Sequence, residues 1–278
     1  MTIPYKMFPW LVLVLIALPA AAETLGAQGE SFITFKNYTR EEDEGILAAF
    51  EGLRVADVSD GMDVVGLQDV GLVDPGIQTL WRDVDDLSHR ICGVAVTVRY
   101  VPTNRRAGRM AAEEFEEWEG RWYEEISPEP FVELLRRGSV VVIDAGEDND
   151  TGSIGSYNIM AWKLQGAVGV VTSGGARDTD EIIKQRIPLY LERLGRGIRP
   201  GRNEVESVNR PVMIGGVLVR PGDVVVADGD GVVVVPREHA KKVAGIAREI
   251  HESDKAGRRD LYEKLGLPED ATVRPRGW

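Results

Sequence analysis

The central third of the chain alternates apolar runs of strand length with segments whose apolar residues recur at helical spacing. SVVVIDAG (139–146), AVGVVTSGG (167–175) and IPLYL (187–191) are the apolar runs. SYNIMAWKLQG (156–166) and RDTDEIIKQR (177–186) lie between them and have helical spacing. Strands and helices that alternate through short links predict parallel βαβ units, whose crossovers are right-handed in nearly all proteins.

The flanking regions follow other patterns. We expect a helix over about Glu41–Leu53, a short second helix in VADVSDGMDVVG (55–66) with Asp57 or Ser59 as its N-cap, and a strand in HRICGVAVTVRYV (89–101). Residues 211–236 are rich in valine and broken at 221–223 and at DGDG (228–231), which predicts antiparallel hairpins with DGDG as a turn. A charged helix over about Glu238–Leu265 follows.

The predicted organisation is a single α/β domain over 41–278. Residues 102–138 form a charged helical insertion, and 237–278 form a C-terminal helix and tail. Within the insertion, Phe115, Trp118 and Trp122 recur at spacings of three and four, which is typical of an amphipathic helix that covers the core or a neighbouring subunit.

The N-terminus has the pattern of an export signal. One lysine, Lys6, precedes an almost unbroken apolar stretch from Met7 to Ala22 that ends in small residues. The stretch is shorter than a spanning helix needs, so residues 1–22 are predicted to be a signal peptide cleaved after Ala22, with 23–40 as an arm that joins it to the domain. Periplasmic localisation follows from this prediction, and an uncleaved membrane anchor is the alternative.

Charge and cysteine content narrow the functional class. The formal net charge is −12, which argues against a nucleic-acid partner because such proteins need a basic face. The only cysteine, Cys92, rules out an internal disulfide, and its position in an apolar run predicts a buried strand residue.

Two loops of this chain leave neighbouring predicted parallel strands at their carboxyl ends, where open α/β sheets gather ligands. One is AGEDNDTGSIGS (145–156), and the other is TSGGARD (172–178). Both lead into helix N-termini, whose free N–H groups attract anions. Gly152 and Gly155 would let backbone amides approach a carboxylate. The loops together predict an anion pocket.

Arg177 and Asp178 are the last two residues of the second loop and carry the candidate chemistry. A guanidinium binds a carboxylate or a developing enolate oxygen through its forked donors. A carboxylate can bind Mg²⁺, which keeps most of its waters. This combination suits a 2-oxo acid. The alternative, left open by the residues alone, is that Asp178 caps the next helix and Arg177 pairs with a surface acid.

Three segments together resemble the RraA-like family, which contains the 4-hydroxy-4-methyl-2-oxoglutarate aldolases and the RraA regulators of ribonuclease activity. They are VADVSDGMDVVG, GAVGVVTSGGARD and PGDVVVADGDGVVVVP, and the resemblance covers about Glu41 to Gly266. It implies a swivelling β/β/α domain with a parallel sheet, an antiparallel sheet and flanking helices, assembled as trimers or paired trimers with the site at a subunit interface.

The resemblance also implies site residues. In the aldolases the arginine binds substrate, the aspartate binds a divalent metal, and a loop binds substrate mainly through its backbone. Here these are Arg177, Asp178 and the stretch Gly155, Ser156, Tyr157, Asn158. The metal expected is Mg²⁺, with Mn²⁺ as an alternative.

The chain departs from the family pattern at two positions. The aldolases have an aspartate separated from the arginine by twenty residues, and here Ser156 stands at that position before Arg177. A second family acid is replaced by Ser173. Candidates to replace the missing acid are Asp148, Asp150, and Glu249 or Glu252 of a neighbouring subunit.

The expectation is a metal-dependent lyase that cleaves or decarboxylates a 2-oxo acid through a pyruvate enolate. The alternatives are a non-catalytic regulatory protein on the same fold, favoured by Ser156, and an enzyme for another oxygen-rich substrate such as a sugar acid. His89, His239 and His251 are flanked by charges and are expected at the surface, and Lys163 and Lys184 are expected on helix surfaces. No GxSxG or GxGxxG motif occurs.

Overall fold

The computed structural model describes residues 38–105, 107–146 and 150–274. Short 3₁₀ and π turns occur at 122–126, 130–134 and 237–239. The six helices of the described residues are α1 (Arg40–Phe50), α2 (Val55–Val64), α3 (Ala112–Arg121), α4 (Ser156–Leu164), α5 (Thr179–Lys184) and α6 (Ala240–Leu265).

Eleven strands are found in the same part of the chain. They are β1 (Gln78–Thr79), β2 (Ile91–Pro102), β3 (Ser139–Asp144), β4 (Gly152–Ile154), β5 (Ala167–Ala176), β6 (Leu189–Leu194), β7 (Asn203–Val208), β8 (Val212–Ile214), β9 (Val217–Val219), β10 (Val224–Asp228) and β11 (Gly231–Val235).

A mixed nine-stranded sheet forms the centre of the domain, in the order β1-β6-β5-β3-β2-β10-β11, with β4 beside β5 and β7 beside β2. Strands β2, β3, β5 and β6 pair in parallel, with α4 and α5 as crossovers. Their interior residues are mostly apolar and buried, as expected for strands covered on both faces. The predicted βαβ units and the α/β fold class are confirmed.

The predicted hairpins are also present. Strands β8 and β9 form a separate two-stranded antiparallel sheet. Strands β10 and β11 form a second hairpin whose turn is DGDG, and β10 joins the central sheet through β2. In the DGDG turn, Asp228 accepts hydrogen bonds from the backbone N–H groups of Val55 (3.0 Å) and Asp230 (2.9 Å), so it ties the hairpin to the start of α2.

Three layers of apolar side chains fill the domain. One lies between the parallel strands and α4, α5 and the insertion. A second lies under the β8–β9 hairpin on the other face of the sheet. A third joins α1, α2 and α6 to β10 and β11. The helices thus bury their apolar stripes against a sheet that holds the strand ends in place.

The insertion is part of the core. Phe131 is fully buried and packs edge-on against Trp162 of α4, with ring centroids 5.2 Å apart. Trp122 is buried, and its ring centroid lies 5.3 Å from that of Trp118. The indole N–H of Trp122 donates to the carbonyl of Asn203. The predicted amphipathic helix is present as α3, but no residue of α3 is buried and Phe115 is 38% exposed. The insertion therefore covers the core through Trp122 and Phe131, which follow that helix.

Two local predictions are wrong. Asp57 and Ser59 are not N-caps, because α2 begins two residues before Asp57, at Val55. Asp57 instead lies in the first turn, where it accepts from the backbone N–H of Arg54 at 3.0 Å. Cys92 lies in β2 as predicted, but it is only partly buried.

The histidine prediction is wrong at two of three positions. His89 and His251 are each 4% exposed. The Nδ1 atom of His89 accepts from the backbone N–H of Asp83 at 3.1 Å, and Nδ1 of His251 lies 2.7 Å from the carboxylate of Asp57. Burial lowers the pKa of both imidazoles. Lys163 and Lys184 are exposed, as predicted.

The predicted signal peptide (1–22) and most of the arm (23–40), together with Asp148, lie outside the described residues. Among the described helices, none is both long enough and apolar enough to cross a membrane.

Candidate active site at the ends of strands β4 and β5

The two loops predicted to form a pocket converge, and a short strand brings them together. Strand β4 pairs in parallel with the last residues of β5, so that Gly152 faces Gly175 and Ile154 faces Ala176. The backbone N–H of Arg177 then donates to the carbonyl of Ile154 at 2.8 Å. This pairing places the start of α4 directly beside Arg177 and Asp178.

The pairing requires glycine at Gly175. A Cβ atom there would lie 2.4 Å from the carbonyl oxygen of Thr151, which is too close for any side chain. Gly175 therefore permits a close approach of two backbones.

Asp178 does not cap its own helix through its side chain. Its backbone is left-handed (φ 55°), and no side-chain cap bond is made to α5. Its Oδ2 atom instead accepts from the backbone N–H of Ser156 in the first turn of α4, at 3.1 Å, and lies 3.4 Å from Ser156 Oγ. Asp178 therefore occupies the N-cap position of α5, as the alternative expected, but its side chain makes no capping bond there and its carboxylate crosses to the other loop.

Gly155 permits this approach. A Cβ atom at Gly155 would lie 2.7 Å from Asp178 Oδ2, so any larger residue would displace the carboxylate. The Nε atom of Arg177 lies 3.9 Å from the other oxygen, Asp178 Oδ1. The two side chains are 38% and 41% exposed. One guanidinium and one carboxylate therefore meet at a solvent-accessible position.

An open cleft of about 650 Å³ runs past these groups. Its opposite lip contains Asp150 and Arg196, which form a salt bridge at 2.6 Å. The hydrogen bond from Arg196 lowers the pKa of Asp150, so this acid is an ionised partner of Arg196. The cleft is lined by Asp150, Ala176, Arg177, Asp178, Thr179, Leu194, Gly195 and Arg196.

The other predicted residues lie close by and differ in their surroundings. Tyr157 is 83% exposed. Asn158 accepts from the backbone N–H of Gly155 through Oδ1 at 3.3 Å. Ser173 is buried, and its hydroxyl accepts from the backbone N–H of Ala145 at 3.1 Å, which ties the end of β3 to β5. Ser173 is thus a structural link between the two strands.

Sequence reasoning missed two charged residues behind the cleft. Glu129 of the insertion bonds to Asn158 and to Arg199, whose side chain is 3% exposed. No motif marks these residues, and Arg199 lies in a loop that the sequence showed only as polar.

The residues at the cleft fit a divalent cation that is held by one protein carboxylate and keeps most of its waters. Among the described residues, no group of three or more histidine, cysteine, aspartate or glutamate side chains gathers as a metal site. Asp178 nevertheless presents a hard oxygen to the cleft, and Mg²⁺ commonly binds through one or two carboxylates while keeping its waters. Glu249 and Glu252 lie on α6, and their predicted role in a neighbouring subunit stays a prediction.

The sequence of this chain is similar to one protein family and to several named proteins. The sequence pattern of the RraA-like family (Aldolase/RraA) matches residues 55–234. A putative 4-hydroxy-4-methyl-2-oxoglutarate aldolase from Halalkalibacterium halodurans is 30% identical over 129 residues, which cover 46% of this chain and 60% of that protein. A 4-hydroxy-4-methyl-2-oxoglutarate aldolase from Thermus thermophilus is 33% identical over 104 residues, covering 36% and 60% respectively. The aligned part of this chain thus spans less than two thirds of each relative's length.

A solved structure shows the same fold. RraAS2 from Streptomyces coelicolor, an unusual member of the RNase ES inhibitor RraA protein family, superposes with a TM-score of 0.63 at 21% identity. The match covers 78% of this chain and 98% of that one.

Proposed function

This chain belongs to the RraA-like family, and from that premise we propose that it is a divalent-metal-dependent lyase acting on a 2-oxo acid. The observation that carries the proposal is the meeting of Arg177 and Asp178 with the first turn of α4 at an open cleft. The similarity to proteins named as aldolases supports carbon–carbon bond cleavage.

The proposed reaction breaks a carbon–carbon bond of the 2-oxo acid, either by retro-aldol cleavage or by loss of CO₂. The electron pair of the broken bond becomes the enolate of pyruvate, which then takes up a proton to give pyruvate. Negative charge develops on the enolate oxygen, and fixed positive charge at that position lowers the barrier.

Arg177 would hold the substrate carboxylate or the developing enolate oxygen through its forked donors. The positive dipole end of α4 lies beside Arg177 and Asp178 and would stabilise the same anion. Asp178 would hold Mg²⁺ or Mn²⁺, which when bound supplies Lewis-acid stabilisation of negative charge.

Assembly into trimers or hexamers is part of the proposal, because members of this family typically form oligomers. One exposed face of α4 supports it. Tyr157, Met160 and Leu164 are 83%, 51% and 84% exposed and lie on one side of this helix. Apolar residues grouped in this way are typical of a surface that another chain covers. The expected result of light scattering is a mass of three or six chains.

The test is release of pyruvate from oxaloacetate by the purified protein, with and without Mg²⁺. We expect metal-stimulated turnover above the rate that the same Mg²⁺ concentration gives without protein. Arg177→Ala should lower kcat/KM about 100-fold or more, because losing a donor to developing charge costs roughly 3 kcal/mol. Arg40→Ala, which removes an exposed arginine of α1, is the matched control and should retain the wild-type rate.

A second candidate is a non-catalytic protein on the same fold. Ser156 favours it, because the aldolases have an acid at that position. Absence of metal-stimulated turnover on every 2-oxo acid tested, with intact folding, would favour this candidate over the lyase.

A further inference from the structure

Behind the cleft, one carboxylate of the insertion contacts the helix that carries the proposed substrate loop. Glu129 accepts from the side-chain amide of Asn158 through Oε1 and from the indole N–H of Trp162 through Oε2, both at 2.9 Å. Asn158 and Trp162 are one turn apart on α4. Glu129 therefore holds the first two turns of α4 through two side chains of one helix face.

The charge of Glu129 is held by a buried guanidinium. Arg199 Nη2 donates to Glu129 Oε1 at 2.5 Å, and Nη1 donates to the hydroxyl of Tyr100 at 2.5 Å. The guanidinium also lies 5.1 Å from the ring centroids of Tyr100 and Tyr123. A buried guanidinium requires an anionic partner, so the ion pair with Arg199 holds the Glu129 carboxylate in place.

The contact fixes which way the Asn158 amide points. A carboxylate only accepts hydrogen bonds, so the NH₂ group of Asn158 must face Glu129. Its oxygen then faces the backbone N–H of Gly155 at 3.3 Å, immediately before the helix. The next N–H along the chain, that of Ser156, donates to Asp178. A continuous series of contacts thus leads from Arg199 to the carboxylate in the cleft.

We propose that Glu129 is a positioning residue for the site: through Asn158 it sets the backbone at Gly155 and Ser156, and the N–H of Ser156 in turn holds the Asp178 carboxylate. This inference rests on the proposed function and adds a residue that lies in the insertion. It explains why the insertion packs on α4. If the carboxylate is lost, the amide of Asn158 is free to turn over, and the N–H of Gly155 loses its acceptor.

The test variant is Glu129→Gln in the full chain, which keeps the shape of the side chain and removes its charge. The control is Asp43→Asn, which removes the charge of a carboxylate elsewhere in the domain that is 3% exposed and paired with Arg237 at 2.7 Å. Asp43 also pairs with Arg136, next to the start of β3. Both variants should lose stability, because each removes the charge of an ion-paired carboxylate. Only Glu129→Gln should affect the site, because Asp43 lies near the start of β3 whereas Arg177 and Asp178 follow the opposite ends of the parallel strands.

Two measurements separate positioning from general destabilisation. Hydrogen–deuterium exchange of peptides covering 152–164, at matched fractions of folded protein, should speed up in Glu129→Gln and not in Asp43→Asn. Calorimetric titration with oxalate in the presence of Mg²⁺ should show an affinity about tenfold lower in Glu129→Gln, as expected for one lost charged hydrogen bond. In turnover assays, the KM of Glu129→Gln should rise by the same factor of about ten, while its kcat changes less.

The outcomes distinguish the two proposals. Oxalate binding by the wild type with equal exchange and equal affinity in both variants would overturn the positioning role and leave the lyase standing. No oxalate binding and no turnover by the wild type would overturn the lyase, and the exchange data would still decide whether Glu129 orders the start of α4. Faster exchange confined to Glu129→Gln would support the positioning role.

Discussion

Replacing Gly155 by alanine tests the approach of Asp178 to the neighbouring loop. The backbone at Gly155 is extended (φ −119°, ψ 171°), a conformation that alanine adopts without strain. The only new contact below 3 Å is with Asp178 Oδ2, at 2.7 Å, which is well under the 3.4 Å of an ordinary contact. The substitution therefore acts on the position of one carboxylate.

The expected magnitude follows from the hydrogen bond that is lost. Moving Oδ2 away until an ordinary contact distance is restored breaks its 3.1 Å bond to the N–H of Ser156. A hydrogen bond to a charged group contributes about 1.5–3 kcal/mol. Replacing glycine by alanine also raises the free energy of unfolding by roughly 0.4–1 kcal/mol, because alanine restricts the unfolded chain. The free energy of unfolding should fall by about 1–2 kcal/mol, and metal-stimulated turnover should fall with it.

The assay is urea denaturation of the wild type and Gly155→Ala, followed by pyruvate release. Gly245→Ala is the matched control, because Gly245 lies in α6 with no atom within 4 Å of a Cβ there. That control should gain about 0.5–1 kcal/mol, as expected for alanine in a helix interior. A Gly155→Ala protein as stable and as active as the wild type would refute the placement of Asp178 against the first turn of α4.

Two further predictions concern the remainder of the domain. Burial raises the pKa of Asp223 to about 6, so the folded protein holds this proton more tightly than the unfolded chain does, and the stability that it contributes is lost as pH rises from about 4 through about 6. The difference in free energy of unfolding between the wild type and Asp223→Asn, measured by denaturation at about pH 4 and pH 7, should shift by about 2 kcal/mol in favour of the variant. A constant difference would contradict this. Phe131→Ala should destabilise by about 3–5 kcal/mol, whereas Phe115→Ala, at a residue 38% exposed, should cost under about 1 kcal/mol. Equal losses in the two variants would show that the insertion does not belong to the core.

The parallel core was predictable because its strands are continuous apolar runs separated by helical spacing. Residues 139–144 and 167–176 form strands where the sequence predicted them, and the loops after them meet as the parallel arrangement requires. The placement of Arg177 and Asp178 at the strand ends therefore followed from pattern alone.

Strand β4 could not be predicted, although it brings the loops together. Its three residues, Gly152–Ile154, are short and begin with glycine, so they have the pattern of a loop. The strand exists because β5 extends beyond its first apolar run and offers backbone partners at Gly175 and Ala176. Such pairing depends on distant residues and leaves no local signal.

The buried histidine of α6 was predictable in principle. His251 lies at helical spacing from Ala240, Val243, Ala244 and Ala247, all on the buried face. The charged residues that flank His251 in the sequence favour surface exposure, but the helical period places its side chain on the buried face. By contrast, Glu129 and Arg199 are 70 residues apart, and only the packed structure brings them together.

The most direct test of the account is a Mn²⁺ titration of the wild type and Asp178→Asn, followed by water-proton relaxation. Asparagine is chosen because it tolerates the left-handed backbone at this position (φ 55°) and can still accept from Ser156. Asp150→Asn is the control, because it removes the acid on the opposite lip of the same cleft. We expect the wild type and Asp150→Asn to bind one Mn²⁺ per chain, and Asp178→Asn to show no saturable binding in the same range. Equal Mn²⁺ binding by the wild type and Asp178→Asn would contradict the assignment of Asp178 as the metal ligand.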